Sequence, residues 1–168
     1  VGNVDSRPSM SINSFAIPVV DSVKDLGVIV DSKLSFVSHI DQVVARAFVR
    51  TNLILKCFIS RDIKTLVRAF TVYVRPIVEY ASCVWSPYHV CDVTRVESVQ
   101  RSFTKRLPGY FEKDYKSRLL LLGLDSLELR RLRQDLIFTY KILFGLTNDV
   151  ASDFFMISNS EHDTRGHS

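Results

Sequence analysis

Three residues of metal-binding type lie close together in the middle of the chain. Cys83, His89 and Cys91 fall within nine residues, but they lack the C-x-x-C or H-x-x-x-H spacing typical of a zinc site. Cysteines in such a setting more often serve as small hydrophobic groups than as ligands. We therefore predict no metal site among these side chains.

A series of carboxylates lies nearer the N-terminus. Asp21, Asp25 and Asp31 are of a type that can bind Mg²⁺. Asp21 and Asp31, however, stand at the ends of predicted strands, where aspartate is an ordinary turn residue. The pattern does not indicate catalytic carboxylates.

Nucleophilic and phosphate-binding sites have recognisable motifs, and none of them occurs in this sequence. Two of the four histidines, His39 and His89, lie in the body of the chain, and the other two, His162 and His167, lie in its polar tail. No G-x-S-x-G elbow and no glycine-rich phosphate loop accompanies them. We therefore predict no self-contained active site and no catalytic residue.

The positive charge of the chain is concentrated in its centre. The net charge is +4, but residues 33–145 hold 19 Lys and Arg against 10 Asp and Glu, while the two ends hold 3 against 8. A basic centre suits a protein that binds a polyanion, because Lys and Arg contact phosphates whatever the base sequence. The alternative is a set of solvated helix faces without a ligand.

Composition indicates one ordinary folded domain. The 168 residues are 46% hydrophobic and 24% charged, and no apolar run is long enough to cross a membrane. The odd cysteine count favours a reducing, intracellular setting, nucleus or cytoplasm, over secretion. The N-terminus has neither an initiator Met nor a signal pattern, so we expect a fragment of something longer.

The N-terminal part of the chain predicts a β-hairpin. Residues 1–14 are polar and aperiodic and predict a loop. Two β-rich runs, Phe15–Val20 and Val23–Val30, follow with Asp21-Ser22 between them as the turn. Gly27, inside the second run, predicts a bulge or a close approach of another backbone.

Apolar residues at helical spacing predict four main helices after the hairpin. The first spans about His39–Phe58 with Ser38 as its N-cap, and the second runs from about Ser60 to Ser86 with a kink at Pro76. The third spans about Val93–Leu107 with Asp92 as its N-cap. The fourth spans about Ser126–Phe144 and begins with a capping box of Asp125 and Glu128. A short helix is predicted at Tyr115–Leu122 and one more turn at Val150–Met156, followed by a loose tail.

Several strings, in this order, resemble one family. They are DLGVIVDSKLSF (Asp25–Phe36), YVRPIVEYASCVWSP (Tyr73–Pro87), VESVQRSFTK (Val96–Lys105) and YKSRLLLLGLDSLELRRLRQDLIFTYK (Tyr115–Lys141). Together they are similar to the C-terminal part of reverse transcriptases of non-LTR, jockey-like (LINE-type) retrotransposons. The resemblance covers nearly the whole chain, from about residue 15 to residue 167.

The resemblance implies a place for each segment. Residues 15–36 would be the end of the palm beside the primer grip, residues 37–148 a helical thumb-like domain, and residues 149–168 a short helix and tail. A thumb holds the template–primer duplex, RNA or DNA, through its backbone. The family's Asp-Asp palm motif is missing from this sequence, so we expect the Mg²⁺, palm and fingers of the parent polymerase to lie outside this chain, which alone would not polymerise.

The combined expectation is a mainly α fold, a four-helix thumb-like bundle after a short N-terminal β-hairpin, that contributes template–primer binding to a reverse transcriptase. The alternative is a non-catalytic protein-interaction or structural module derived from such an element. The side chains that we predict to contact nucleic acid are all basic and lie on three of the helices or at their ends: Lys64, Arg68, Arg101, Lys105, Arg106, Arg130, Arg131 and Arg133. The three arginines of the last helix lie near its N-terminus, where the helix dipole disfavours cations, so either a functional role or partner carboxylates should account for them.

Overall fold

A computed structural model of the chain describes residues 10–156 and confirms the mainly helical fold. The elements of this part of the chain are β1 (Ser11–Ile12), β2 (Phe15–Ala16), β3 (Ser22–Asp25), β4 (Val28–Asp31), α1 (Val37–Cys57), α2 (Ile63–Tyr73), α3 (Arg75–Glu79), α4 (Ser82–Trp85), α5 (Val90–Lys105), α6 (Tyr115–Leu122), α7 (Leu127–Leu143) and α8 (Ala151–Phe154). The four main helices are α1, α2, α5 and α7. The loop and tail predicted at the two ends lie largely outside the described residues.

Two small antiparallel hairpins precede the helices, β1 with β2 and β3 with β4. The turn of the second hairpin is Leu26-Gly27, with φ of 43° and 91°, as a two-residue connection with positive φ at both positions requires. The predicted turn at Asp21-Ser22 and the predicted bulge at Gly27 are therefore wrong. Gly27 adopts positive φ at little cost, and this places the turn between the two halves of the second predicted run.

The second hairpin is held against the helices by its turn and by β4. The Tyr80 hydroxyl donates to the Leu26 carbonyl at 2.9 Å, and Val28 is buried in the core. The Ile29 amide donates to Nδ1 of His39 at 3.2 Å, so this imidazole nitrogen must be unprotonated. A two-stranded hairpin alone is only marginally stable in water, and these contacts with the helices stabilise it.

His39 should make stability depend on pH. Burial, followed by the charges of Arg46 and Lys24, lowers the pKa of its imidazole below the ordinary value. The unfolded chain therefore binds the proton more readily, and the free energy of unfolding should fall as pH drops from above 6.5 towards the lowered pKa. Urea unfolding between about pH 7.5 and 5 measures this. His39→Asn retains an acceptor for Ile29 without titrating, and an equal pH slope in this variant would contradict the assignment.

Helix α1 begins without the predicted side-chain cap at Ser38. Its N-cap position is Phe36, which has a left-handed backbone (φ 55°) and makes no capping hydrogen bond with its side chain. The preceding loop is organised instead by Asp31, whose carboxylate accepts from the amides of Lys33 and Ser35, both at 2.9 Å. The chain therefore enters α1 along a path set by Asp31.

Pro76 separates two helices where a single kinked helix was predicted. Helix α2 begins after its N-cap Asp62 and ends at Tyr73, and Pro76 occupies the first turn of α3. Proline is well tolerated in a first turn, where its missing N–H would have no helical partner. A second break follows at Ala81, whose φ of 52° ends the helical path before α4.

The caps of the later helices are local and mostly lie within a few residues of the predicted ends. Helix α5 starts at Val90, and Asp92, the predicted cap, is instead buried in its first turn. The cap of α7 is Ser126, which accepts from the Leu129 amide at 3.1 Å, so the predicted capping box of Asp125 and Glu128 is wrong. Gly145 ends α7 with a left-handed backbone, φ 63°, as expected for a residue just beyond a helix.

The core is formed chiefly by α1, α2 and α5. Phe70 of α2 stacks on Phe103 of α5, with ring centroids 4.3 Å apart, and neither side chain is exposed. Leu66 and Val99 complete the same layer. Trp85 of α4 closes one end of the core, at 1% exposure.

Candidate nucleic-acid interface

A groove of about 750 Å³ runs beside the N-terminal half of α2. One wall carries Arg61, Lys64 and Arg68. Lys64 and Arg68 are four residues apart on one side of α2, and Arg61 lies just before the N-cap of this helix. The opposite wall includes Tyr110 and the C-terminal end of α6, at Leu121-Leu122. The groove therefore combines a row of cations with an apolar and aromatic wall.

The cations of this groove lie at the protein surface. Arg61, Lys64 and Arg68 are exposed, and none of them forms an ion pair within residues 10–156. The one acidic side chain of the wall, Asp62, accepts hydrogen bonds from Thr65, from its amide at 2.8 Å and its hydroxyl at 2.7 Å. These bonds, the hydroxyl's foremost, lower the pKa of Asp62. An anion entering the groove would meet three cations and the one carboxylate of Asp62, a net charge of +2.

The predicted contacts on α5 are exposed but engaged with neighbouring side chains. The Arg101 guanidinium lies 4.7 Å from the ring centroid of Tyr115, and the Lys105 ammonium lies 4.8 Å from that of Phe111. Arg106 donates to Oδ1 of Asn52 at 2.7 Å. All three side chains are exposed to solvent and have no carboxylate partner within residues 10–156, so they keep the capacity to meet a phosphate.

Two of the three arginines of α7 are paired with carboxylates. Arg130 makes a two-pronged contact with Glu79, with Nη2 at 3.1 Å from Oε2 and Nε close to Oε1, and this raises the pKa of Arg130. Glu79 also lies 3.6 Å from Arg75, four residues earlier in the same helix. Arg133 pairs with Asp125. Partner carboxylates therefore account for both of these charges.

Arg131 is inside the protein, at 3% exposure, and its predicted contact with nucleic acid is wrong. Burial lowers the pKa of its guanidinium, which the charge of Glu97 partly offsets. Glu97 is itself buried and accepts from the backbone amides of Leu127 and Glu128, at 3.2 and 3.1 Å, and from the Tyr115 hydroxyl. A buried carboxylate of α5 thus caps α7 and attracts its first turns inward.

The residues that sequence reasoning missed are Arg61 and Tyr110. Arg61 precedes the N-cap of α2, and its closeness in sequence to Lys64, at the start of the predicted second helix, is the signal that could have identified it. Tyr110 follows the stop at Pro108-Gly109 and reaches the groove only through the packing of α6 against α5. No local pattern could have indicated this second position.

The arrangement of acidic and metal-binding side chains does not fit a metal site. Within residues 10–156, no group of three or more His, Cys, Asp or Glu side chains is placed to hold an ion. Asp31, which belongs to the carboxylate series near the N-terminus, is engaged in its own turn. Among the described helices, none is long and apolar enough to cross a membrane.

Comparison with known proteins gives one distant relative. The chain is 27% identical over 132 residues to an uncharacterized protein of Caenorhabditis elegans, an alignment that covers 77% of this chain and 67% of the relative. No family model matches the sequence. No solved structure matches it either.

Proposed function

We propose that this chain is a thumb-like part of a non-LTR retrotransposon reverse transcriptase that holds a template–primer duplex by its sugar–phosphate backbone. The proposal rests on the ordered series of family-like strings and on the basic groove beside α2. The groove is the observation that carries it, because it combines accessible, unpaired cations with a concave surface.

The spacing of the cations suits a nucleic-acid strand. Lys64 and Arg68 are four residues apart in α2, which corresponds to about 6 Å along the helix axis, and Arg61 lies just before the helix. Because a duplex presents one phosphate per about 3.4 Å of its axis on each strand, Lys64 and Arg68 can meet two nearby phosphates of one strand. Contacts of this kind position a backbone and read no base sequence, as a polymerase that copies any template requires.

Catalysis belongs to other parts of the proposed parent enzyme. The chain contains no Asp-Asp palm motif, so Mg²⁺ and the chemistry of synthesis would be supplied by the palm, with the fingers as the third part of the assembly. The role of this chain is to bind and orient the duplex. Its cysteines, Cys57, Cys83 and Cys91, are free thiols, which suits a reducing compartment, the cytoplasm or nucleus.

Reversal of two groove charges should abolish most of the binding. We expect the double variant Lys64→Glu with Arg68→Glu to bind a labelled RNA–DNA hybrid at least about tenfold more weakly, because it loses two phosphate contacts and repels the strand. The slope of log affinity against log salt should also become shallower by about 2. Fluorescence anisotropy at several salt concentrations measures both quantities.

The matched control changes the same amount of charge outside the groove. Lys24→Glu with Lys141→Glu alters two exposed lysines and should reduce affinity much less, through the general field alone. Equal losses in the two double variants would contradict the groove as the binding site. Absence of salt-sensitive binding in the parent chain would contradict the proposed function itself.

A second candidate function is that of a protein-interaction module, and one specific observation favours it. Helix α7 exposes a row of large apolar side chains, with Leu132 at 53% and Leu136 at 60% exposure. Exposed apolar surface of this kind commonly marks a protein contact. Loss of a protein contact on substitution of these leucines, with nucleic-acid binding unchanged, would separate this function from the first.

A further inference from the structure

Helix α7 carries its apolar residues on the side that faces away from the protein. Leu129, Leu132, Leu136 and Leu143 are between 39% and 60% exposed, and they recur at the three- and four-residue spacing of a coiled-coil seam. Thr139 is the one polar residue that this spacing includes. We call these five positions the α7 seam.

The opposite side of the helix packs on the rest of the chain. Leu127, Arg131 and Ile142 are buried, and at about 100° per residue they lie roughly 100–160° around the helix from the middle of the seam. The four leucines of the seam therefore lie outside the packed side of the helix, and Thr139, three residues before Ile142, lies at its edge and is half-buried. Two bodies joined through their seams would extend in opposite directions.

The described part of the chain after α7 does not cover the seam. Leu146 is 65% exposed, and α8 follows with Phe154 at 60% and Met156 at 99% exposure. The chain thus reaches the end of the described region with the seam still open. Contiguous exposed apolar surface of this kind is uncommon in a protein that works alone.

We propose that the seam is covered by the same helix of a second copy of this chain, in a parallel pair with two-fold symmetry. The charges beside the seam favour this partner. Glu128 flanks one edge and Arg133 flanks the other, five residues later, which is the spacing that brings opposite charges together across a parallel coiled coil. The two-fold symmetry creates two such pairs of Glu128 with Arg133, one on each side of the seam.

The same charges distinguish the parallel pair from an antiparallel one. In an antiparallel pair centred on Leu136, Glu128 would lie opposite Phe144 of the partner subunit, and its charge would have no partner. In the parallel pair the carboxylate of Glu128 meets the partner's Arg133, which in the single chain contacts Asp125 at the surface, where it is 56% exposed. The parallel arrangement therefore uses both flanks of the seam.

Association should be modest, because α7 has only 17 residues, or about two and a half heptads. We expect reversible dimers at about 5–200 µM, measured by sedimentation velocity without nucleic acid and with a reducing agent to keep the thiols free. Leu136→Glu should shift the chain to monomer and raise the dissociation constant at least about tenfold. Leu53→Glu, at a 49% exposed leucine of α1, is the matched control and should leave the dimer intact.

A charge exchange tests the orientation. Glu128→Lys and Arg133→Glu should each weaken self-association, and mixing the two single variants should restore it as a heterodimer in which both pairs are of opposite sign. Monomers across the concentration range, equal effects of the Leu136 and Leu53 variants, or failure of the mixture to associate would each overturn the proposal. If the seam bound only a different protein, this chain would remain a monomer across the concentration range.

Discussion

Replacement of Trp85 with alanine is expected to lower the free energy of unfolding by about 3–5 kcal/mol. The indole is 1% exposed, and its Nε1–H donates to the Tyr80 carbonyl at 2.8 Å. Its ring also makes an edge contact with His39 at a centroid distance of 5.2 Å. Alanine would leave a cavity between α4 and the start of α1 and an unpaired carbonyl at a helix break, and single domains are stable by only about 5–15 kcal/mol.

Circular dichroism during urea unfolding measures this loss, because the variant has no tryptophan to report by fluorescence. Trp85→Phe should lose less, since it retains most of the ring volume but not the hydrogen bond to Tyr80. Tyr88→Ala removes a 75% exposed aromatic residue three positions later and should stay within about 0.5 kcal/mol. Similar losses for Trp85→Ala and Tyr88→Ala would contradict the position of Trp85 in the core.

Replacement of Glu97 with alanine is expected to destabilise the protein by about 3–5 kcal/mol. Three donors would lose their acceptor: the amides of Leu127 and Glu128 and the hydroxyl of Tyr115. Arg131 would also lose the nearby negative charge that offsets its burial. Because these groups join α5, α6 and α7, their loss should loosen the packing of the last helix as well as lower overall stability.

Urea unfolding followed by Trp85 fluorescence measures the effect, and two further variants locate its cause. Glu97→Gln keeps one acceptor oxygen and the side-chain volume, so its loss should be intermediate. Glu128→Ala removes an exposed acidic side chain from the first turn of the same helix and should cost about 1 kcal/mol or less. If Glu128→Ala were as damaging as Glu97→Ala, the first turn of α7 would depend on general charge and not on the buried carboxylate.

Much of the helical pattern follows from signals that act over a few residues. Tyr115–Leu122 was predicted with the bounds that the structure has, because Gly123 can end a helix in the left-handed region at little cost. The ends of α7 were predicted within one residue for the same kind of reason. The errors near Pro76 and Gly27 are also local. A proline within a helical stretch can either kink one helix or begin a new one, and a glycine within a strand can form either a bulge or a turn. Contacts with the rest of the protein select between these alternatives.

The orientation of α7 shows what a local pattern leaves open. Its apolar stripe predicts that one side of the helix must be covered, but not which surface covers it. In the structure the buried side includes Arg131, because Glu97 lies at the start of the helix and supplies a carboxylate in the interior. The leucines of the seam face outward as a result.

The sequence by itself determined the mainly helical fold, most helix ends, the basic centre of the chain and the absence of a catalytic motif. All of these depend on composition or on neighbours within one or two helical turns. The tertiary structure alone decided which cations are free, paired or buried, since Glu79 reaches Arg130 from 51 residues away and Glu97 lies 30 residues before Leu127. A charged side chain is neutralised only by groups that folding brings within a few ångströms of it. For that reason only the folded structure distinguishes the exposed cations of the groove from the paired arginines of α7.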